Sequence, residues 1–307
     1  MNHSRRQFVK TITAVTAAGL AGLPSWAEDF SKKRFFDISL AQWSFYKELF
    51  GKKYTTLDFP ALAKKEFNIS IVEYVNSFFK DKANDKTYLQ SLLQRCKDNG
   101  VKNHLIMIDG EGDLGDTDEK ERIKAVENHY KWVEAAHFLG CPTIRVNASG
   151  RGSREEVKDA AVDGLSRLAA FAQKEKMNII VENHGGYSSD GDWLLSVMKA
   201  VNLKNVGVLP DFGNFCIRHE GGKCAEEYDK YKGVEMWMPY AKGVSAKSVD
   251  FDEKGDCMET DYYKMMRIVK KSGFKGIVGI EYEGNKLSAP DGIKATKRLL
   301  EKIAAQI

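Results

Sequence analysis

Apolar and polar positions along this chain fall into two rhythms that follow one another repeatedly. Nearly continuous apolar runs of strand length occur at DISLAQWSF (37 to 45), ISIVEYVNSFF (69 to 79), KNHLIMID (102 to 109) and TIRVNAS (143 to 149). Four more follow at NIIVENHGG (178 to 186), VGVLPDFGNF (206 to 215), KGVSAKSVDF (242 to 251) and GIVGIEYEG (276 to 284). Runs of this kind mark strands buried on both faces, as in parallel sheets. Between them lie stretches of helical period. In KDAAVDGLSRLAAFAQKEK (158 to 176), Val162, Leu165, Ala169 and Ala172 form one apolar stripe under a charged face. Ile123, Val126, Tyr130 and Val133 do the same in EKERIKAVENHYKWVEAAHFLG (119 to 140). Gly100, Gly140 and Gly273 follow helical runs as C-terminal caps would.

Eight strands alternating with helices predict an α/β fold built as a single (β/α)8 TIM barrel. The 307 residues suffice, since such a barrel needs about 250. A doubly wound open sheet fits less well, because no GxGxxG opens a helix after the first strand.

The first 27 residues follow a different pattern. SRRQFVK (4 to 10) precedes the uncharged apolar TITAVTAAGLAGLP and then Ser25-Trp26-Ala27, a small-x-Ala cleavage pattern. This resembles a twin-arginine secretion signal, with cleavage expected after Ala27, residues 28–307 as the catalytic domain and a periplasmic or otherwise exported location. The apolar stretch is too short to span a bilayer comfortably, so no membrane association is expected after cleavage. Formal charge is +4, from 47 Lys+Arg against 43 Asp+Glu. Removing Arg5, Arg6 and Lys10 leaves 44 against 43, or +1, which gives no electrostatic case for a nucleic-acid partner. Cysteines 96, 141, 216, 224 and 257 are odd in number and contain no CxxC pair. Buried free thiols are the default expectation, with a Cys216 to Cys224 bridge as the alternative.

Three of the later runs deliver a carboxylate where apolar residues give way to a Gly-containing loop: Glu182, Asp211 and Glu281. The spacings, 29 and then 70 residues, fit one βα unit per strand with one strand skipped, which brings all three to the same end of a closed sheet. Alternation along each strand pairs Glu182 with His184, Glu281 with Glu283, Ser245 with Lys247, and Arg145 with Asn147 on the same face.

With VENHGG, PDFGNF, GVSAKS and GIEYEG in place, the chain resembles the sugar isomerase and epimerase superfamily of the xylose isomerase-like TIM-barrel kind, over roughly residues 35 to 305. The resemblance implies one divalent metal held by Glu182, Asp211 and Glu281, with the two glutamates also moving protons. Ser245 stands where the family has a histidine ligand. Oxygen-only coordination points to Mn, Mg or Co rather than Zn. At that fourth position a three-carboxylate site, recruitment of His184 or His219, a water, and the absence of a metal all stay open. Lys247 is expected either to stabilise an enolate oxygen, as a catalytic group, or to balance charge in place of the lost imidazole. His184, Asn147, Glu73, Arg145 and Trp43 are the expected substrate-binding residues, with Phe212 and Phe215 as further aromatic walls. His129 and His137, inside a helical run, read as structural or solvated.

The implied activity is proton transfer beside the carbonyl of an unphosphorylated sugar or keto-glycoside, giving isomerisation or epimerisation. A 3-keto-glycoside lyase or hydrolase, an endonuclease IV-like phosphodiesterase and a non-catalytic sugar-binding barrel are the rivals. The last two are told apart by metal content. The substrate is expected to be a small sugar, and homo-oligomerisation stays open. Specificity is expected from the loop regions 109 to 120 and 213 to 236.

Overall fold

The computed structural model describes residues 34–307; the predicted export segment, residues 1–27, lies outside them. The strands are β1 (Asp37–Ala41), β2 (Ile71–Val75), β3 (Lys102–Met107), β4 (Thr143–Val146), β5 (Asn178–Glu182), β6 (Val206–Leu209), β7 (Cys216–Glu220), β8 (Lys223–Glu227), β9 (Val244–Ser248) and β10 (Ile277–Tyr282). The helices are α1 (Tyr46–Phe50), α2 (Phe59–Phe67), α3 (Lys86–Asn99), α4 (Glu119–Leu139), α5 (Arg154–Lys174), α6 (Gly191–Val201), α7 (Lys230–Trp237), α8 (Tyr262–Lys271) and α9 (Ala289–Gln306). Among the described residues no helix is long and apolar enough to cross a membrane.

Eight strands pair in parallel in the order β6-β5-β4-β3-β2-β1-β10-β9. The ends of that row meet through two isolated bridges, Val208 with Ala241 and Asp211 with Ser245. The result is a nearly closed (β/α)8 barrel, as the alternation of strand and helix predicts. Pro210 follows β6 directly and has no N–H to donate, so it interrupts any regular ladder there. What remains is Lys242 N–H to Val208 O (3.1 Å), Ser245 N–H to Pro210 O (2.9 Å) and Phe212 N–H to Ser245 O (3.1 Å).

Each strand is shorter than the apolar run that predicts it. β1 stops at Ala41 and β2 at Val75, and each gives way to a 3-10 turn. Gln42 takes over as a side-chain strut: its Oε1 accepts from Val75 N–H and its Nε2 donates to Thr56 Oγ1. Aromatic residues beyond the strand end, such as Phe78 and Phe79, extend the run in the sequence without extending the ladder.

Side-chain alternation divides the core in two. Outward residues such as Leu40, Val72, Ile144, Val181 and Val208 pack against the helices, while Ala41, Val75, Leu105, Met107, Ile180 and Leu209 form a separate interior cluster. The stripe predicted for α5 is buried apart from half-buried Val162. In α4 the buried face is rotated toward Ala125, Val126, His129, Trp132, Val133 and Ala136. Tyr130 instead lies half-buried at its edge and stacks on Phe171 of α5, with ring centroids 3.8 Å apart. Gly100 and Gly140 cap α3 and α4 in the left-handed conformation, as expected.

β7 and β8 form an antiparallel hairpin outside the barrel, turning at Gly221 and Gly222, both with positive φ. A disulfide joins Cys216 to Cys224 across it, with Cα atoms 5.6 Å apart. The default of buried free thiols therefore holds for Cys96, Cys141 and Cys257 and is corrected for these two, which lie on the adjacent antiparallel strands of the hairpin.

Candidate active site

The inward positions near the C-terminal ends of β4, β5, β9 and β10, with the loop after β6, place Arg145, Glu182, Lys247, Glu281 and Asp211 in one space. All five are buried. Carboxylate oxygens of Glu182, Asp211 and Glu281 lie within 4.8 Å of one another. The three carboxylates singled out in the sequence thus converge as barrel geometry requires.

Each carboxylate is held differently. Arg145 Nε approaches Glu182 Oε2 at 2.7 Å, off the N–H axis, so the contact is an ion pair rather than an aligned hydrogen bond. Asn214 Nδ2 donates to Glu182 Oε1 at 3.3 Å. Arg145 also donates to Asp109 Oδ1 (2.7 Å), which accepts from Asn147 as well (2.9 Å). Asp211 Oδ1 accepts from the backbone N–H groups of Gly213 and Asn214, both at 2.8 Å, and its Oδ2 accepts from Ser245 Oγ at 2.6 Å. Lys247 Nζ lies 3.1 Å from each of Glu281 Oε1, Glu283 Oε1 and Asn214 Oδ1. Gly213 leaves room for the lysine stem, since a Cβ there would sit 2.8 Å from Lys247 Cδ.

Burial, followed by opposing effects of the neighbouring charges, sets the proton affinities. Burial raises Glu182, Asp211 and Glu281 above the usual carboxylate range; Arg145 or Lys247 pulls back, and the other carboxylates push further up. Burial works against the charge of Lys247, but Asp211, Glu281, Glu283 and Glu182 hold it well above its ordinary value. Asp109 goes the other way: burial would raise it, yet Arg145 holds it at about 2.

Glu73 lies deeper. Its Oε1 accepts from Ser39 Oγ at 2.6 Å, its Oε2 has no partner among the described residues, and Gly279 makes room for it, since a Cβ there would sit 2.8 Å from both oxygens. Burial pushes its carboxyl up to about 8. It sits beneath Glu281, two residues beyond Gly279 on the same strand.

Of the remaining predicted residues, Asn147 is half-buried beside Asp109, and Trp43 packs against the interior cluster with Phe78 and stacks on Tyr46 (5.3 Å). His184 is exposed at the rim; desolvation within the mouth and the Arg145 charge push its imidazole below its usual value. Neither it nor His219, on the exposed hairpin, belongs to the carboxylate cluster. Phe212 and Phe215 are fully buried, edge-on to Tyr262 and stacked on Trp237, so they are core residues and not walls of the mouth. His129 is buried with Nδ1 2.7 Å from Ala125 O, and His137 is exposed.

The structure adds Asp109, Asn183 and Asn214 to the predicted set. Asn183 points away from the barrel interior, yet it donates to Asp211 O (3.1 Å) and Asn214 O (2.9 Å) and accepts from Asp211 N–H (2.8 Å). It locks the β5 end to the Asp211 loop. The two adjacent polar residues of VENHGG, one facing in and one out, were the available signal.

Fold and site together define a parallel barrel with a buried acidic cluster at its C-terminal mouth. Residues 62–303 match the model of the Xylose isomerase-like TIM barrel family, and the chain belongs to that family. No curated protein matches it in sequence. Solved structures of similar fold include the 3-keto-D-glucoside 4-epimerase of E. coli, 14% identical with TM-score 0.67, covering 87% of this chain and 99% of that one. The D-allulose 3-epimerase of Methylomonas sp. is 14% identical with TM-score 0.67, over 88% and 99%. A Xylose isomerase-like TIM barrel protein of Mycobacterium smegmatis, solved with magnesium, is 14% identical with TM-score 0.65, over 88% and 97%.

Proposed function

We propose that this protein is a sugar isomerase or epimerase that moves a proton at the carbon beside a carbonyl of an unphosphorylated sugar or keto-glycoside, with the help of one divalent metal. The observation that carries this reading is the pair of buried glutamates, Glu182 and Glu281, each bound to its own cation and flanking a third carboxylate. Sugar epimerases of the same fold support it.

The residues fit a metal. Five carboxylates (Asp109, Glu182, Asp211, Glu281, Glu283) face two cations (Arg145, Lys247), and the central three have raised proton affinities that a divalent cation relieves. Glu182, Asp211 and Glu281 would hold it, as oxygen donors suited to Mg or Mn. Ser245, spent on Asp211, orients that ligand instead of replacing the missing histidine. When bound, the metal polarises the sugar carbonyl as a Lewis acid.

In this reading Glu182, pinned by Arg145, takes the proton from carbon, and Glu281 returns one to the other face or to the neighbouring oxygen. Lys247 positions Glu281: its three ammonium hydrogens are matched by three acceptors at 3.1 Å. His184, Asn147 and Trp43 bind the sugar from the rim. The acidic excess of the mouth disfavours a phosphate dianion, which supports an unphosphorylated substrate. The dispersed histidines (104, 129, 137, 184 and 219) argue against a three-zinc phosphodiesterase. An extracytoplasmic setting is supported by the N-terminal signal pattern and by the exposed disulfide. Amino-terminal sequencing of the cell-derived protein should begin at Glu28.

Incubation with keto-sugars in deuterated water, with and without a chelator, tests the reaction. Solvent deuterium should enter the carbon beside the carbonyl, and conversion should fall on chelation and in Glu182→Gln. Full activity in both cases would sink the proposal.

A further inference from the structure

Beyond the carboxylate cluster, three site segments run on into a second space. Ala148 directly follows Asn147, Gly185 and Tyr187 lie just beyond His184, and Ile217 and Arg218 stand three and four residues after Asn214. These residues together line a cavity of about 360 Å³. Its size lies toward the lower end of ligand sites, which span roughly 300 to 1,000 Å³, and suits one ring with its linkage.

We propose that this cavity takes the second ring of a two-ring substrate, a glycoside whose first ring reacts between Glu182 and Glu281. The inference rests on the sugar reading of the mouth. The lining chemistry matches a ring with an apolar face: Tyr187 and Ile217 supply apolar surface, and Glu226 with Arg218, which also pairs with Glu220, supplies polar groups at the edge. Tyr187 is itself braced, stacked on Trp193 with centroids 5.9 Å apart and donating to Gly152 O at 3.2 Å. The opposite wall is held by the cross-linked hairpin, in which Ile217 and Arg218 directly follow bridged Cys216. A preformed wall lowers the ordering cost of binding. The same ring chemistry comes from a second sugar or from an aromatic aglycone.

Calorimetric titration separates these cases, using methyl glucosides as one-ring probes and 4-nitrophenyl glucosides, maltose and cellobiose as two-ring probes, with both anomers of each glucoside. In one anomeric series at least, a two-ring probe should bind about tenfold or more tightly than the methyl glucoside. Preference for the nitrophenyl compound identifies an aglycone, and preference for the disaccharide a second sugar. Ile217→Asp should abolish the advantage while leaving methyl glucoside binding within about twofold. Cys216→Ser/Cys224→Ser, confined to the exposed hairpin, should reduce it in the same direction and guards against a folding defect in the first variant. Equal binding of one-ring and two-ring probes, or an advantage that survives both variants, overturns the cavity assignment. Failure of every probe to bind at millimolar concentration overturns the sugar reading beneath it, and the cavity assignment with it.

Discussion

Glu182 and Glu281 stand in the same buried cluster but under different constraints. Glu182 faces a planar guanidinium that is itself fixed by Asp109, so the pair is rigid on both sides. Glu281 shares the buried Lys247 ammonium with Glu283 and Asn214. Arg presents a preorganised fork and Lys a point charge on a mobile stem. One glutamate therefore meets a fixed planar fork, and the other a point charge shared among three acceptors. Such a difference lets two like groups divide the taking and the giving of a proton.

The sharpest way to break this comparison is to neutralise each glutamate in turn. Glu182→Gln should lower kcat/KM by about 10³-fold or more and abolish incorporation of solvent deuterium. Glu281→Gln should lower net conversion comparably but leave exchange at the first carbon within about tenfold, which mass spectrometry of recovered substrate would show. Equal loss of exchange in both variants would end the division of labour.

The cations come next. Arg145→Met strands buried Glu182 and half-buried Asp109 and should cost about 3 to 5 kcal/mol in denaturant unfolding. Lys247→Met should cost less, about 1 to 3 kcal/mol, because Glu283 is partly exposed and Glu281 can take up a proton.

Glu73 shows what a glutamate in this interior does when, among the described residues, no cation pairs with it directly. Its carboxyl, at about 8 when folded, binds a proton that the unfolded chain releases near 4.5. Its contribution to stability is thus fully present below about pH 4.5 and is lost as pH rises toward 8. Glu73→Gln removes that slope. Relative to its offset at pH 5, the variant should gain roughly 3 to 4 kcal/mol over wild type by pH 8 in unfolding titrations. The smallest expected effect is that of Ser245→Ala, which takes one hydrogen bond from Asp211 and should weaken Mn binding about tenfold by calorimetry.

The barrel was legible because both of its rhythms are local: apolar runs of strand length, and stripes at helical period. The three carboxylates were legible because each ends such a run. What escaped depends on contacts between elements. Asp109 reads as an ordinary loop acid until Arg145 folds over it, and Asn183 as an outward polar residue until the Asp211 loop docks on it. Phe212 and Phe215 follow a site residue in the chain, yet tertiary packing turns both into the helix layer. The hairpin had a signal in the Gly221-Gly222 pair between alternating residues, and the cysteines flanking it fit the bridge that the structure shows. The α4 stripe holds at Val126 and Val133 but misses the centre of the buried face, because helical period alone does not choose between Tyr130 and its buried neighbours His129 and Trp132.

The seam between β6 and β9 consists of two bridges, and one of them pairs Asp211 with Ser245. The cylinder is a hoop, and half of its clasp is built from a carboxylate of the candidate site and the serine that holds it. A cation held among Glu182, Asp211 and Glu281 would rivet β5, the loop after β6 and β10 together, so the hoop would resist springing open while it is bound. Slower amide exchange at Phe212 and Ser245 with Mn than without it would register that tightening.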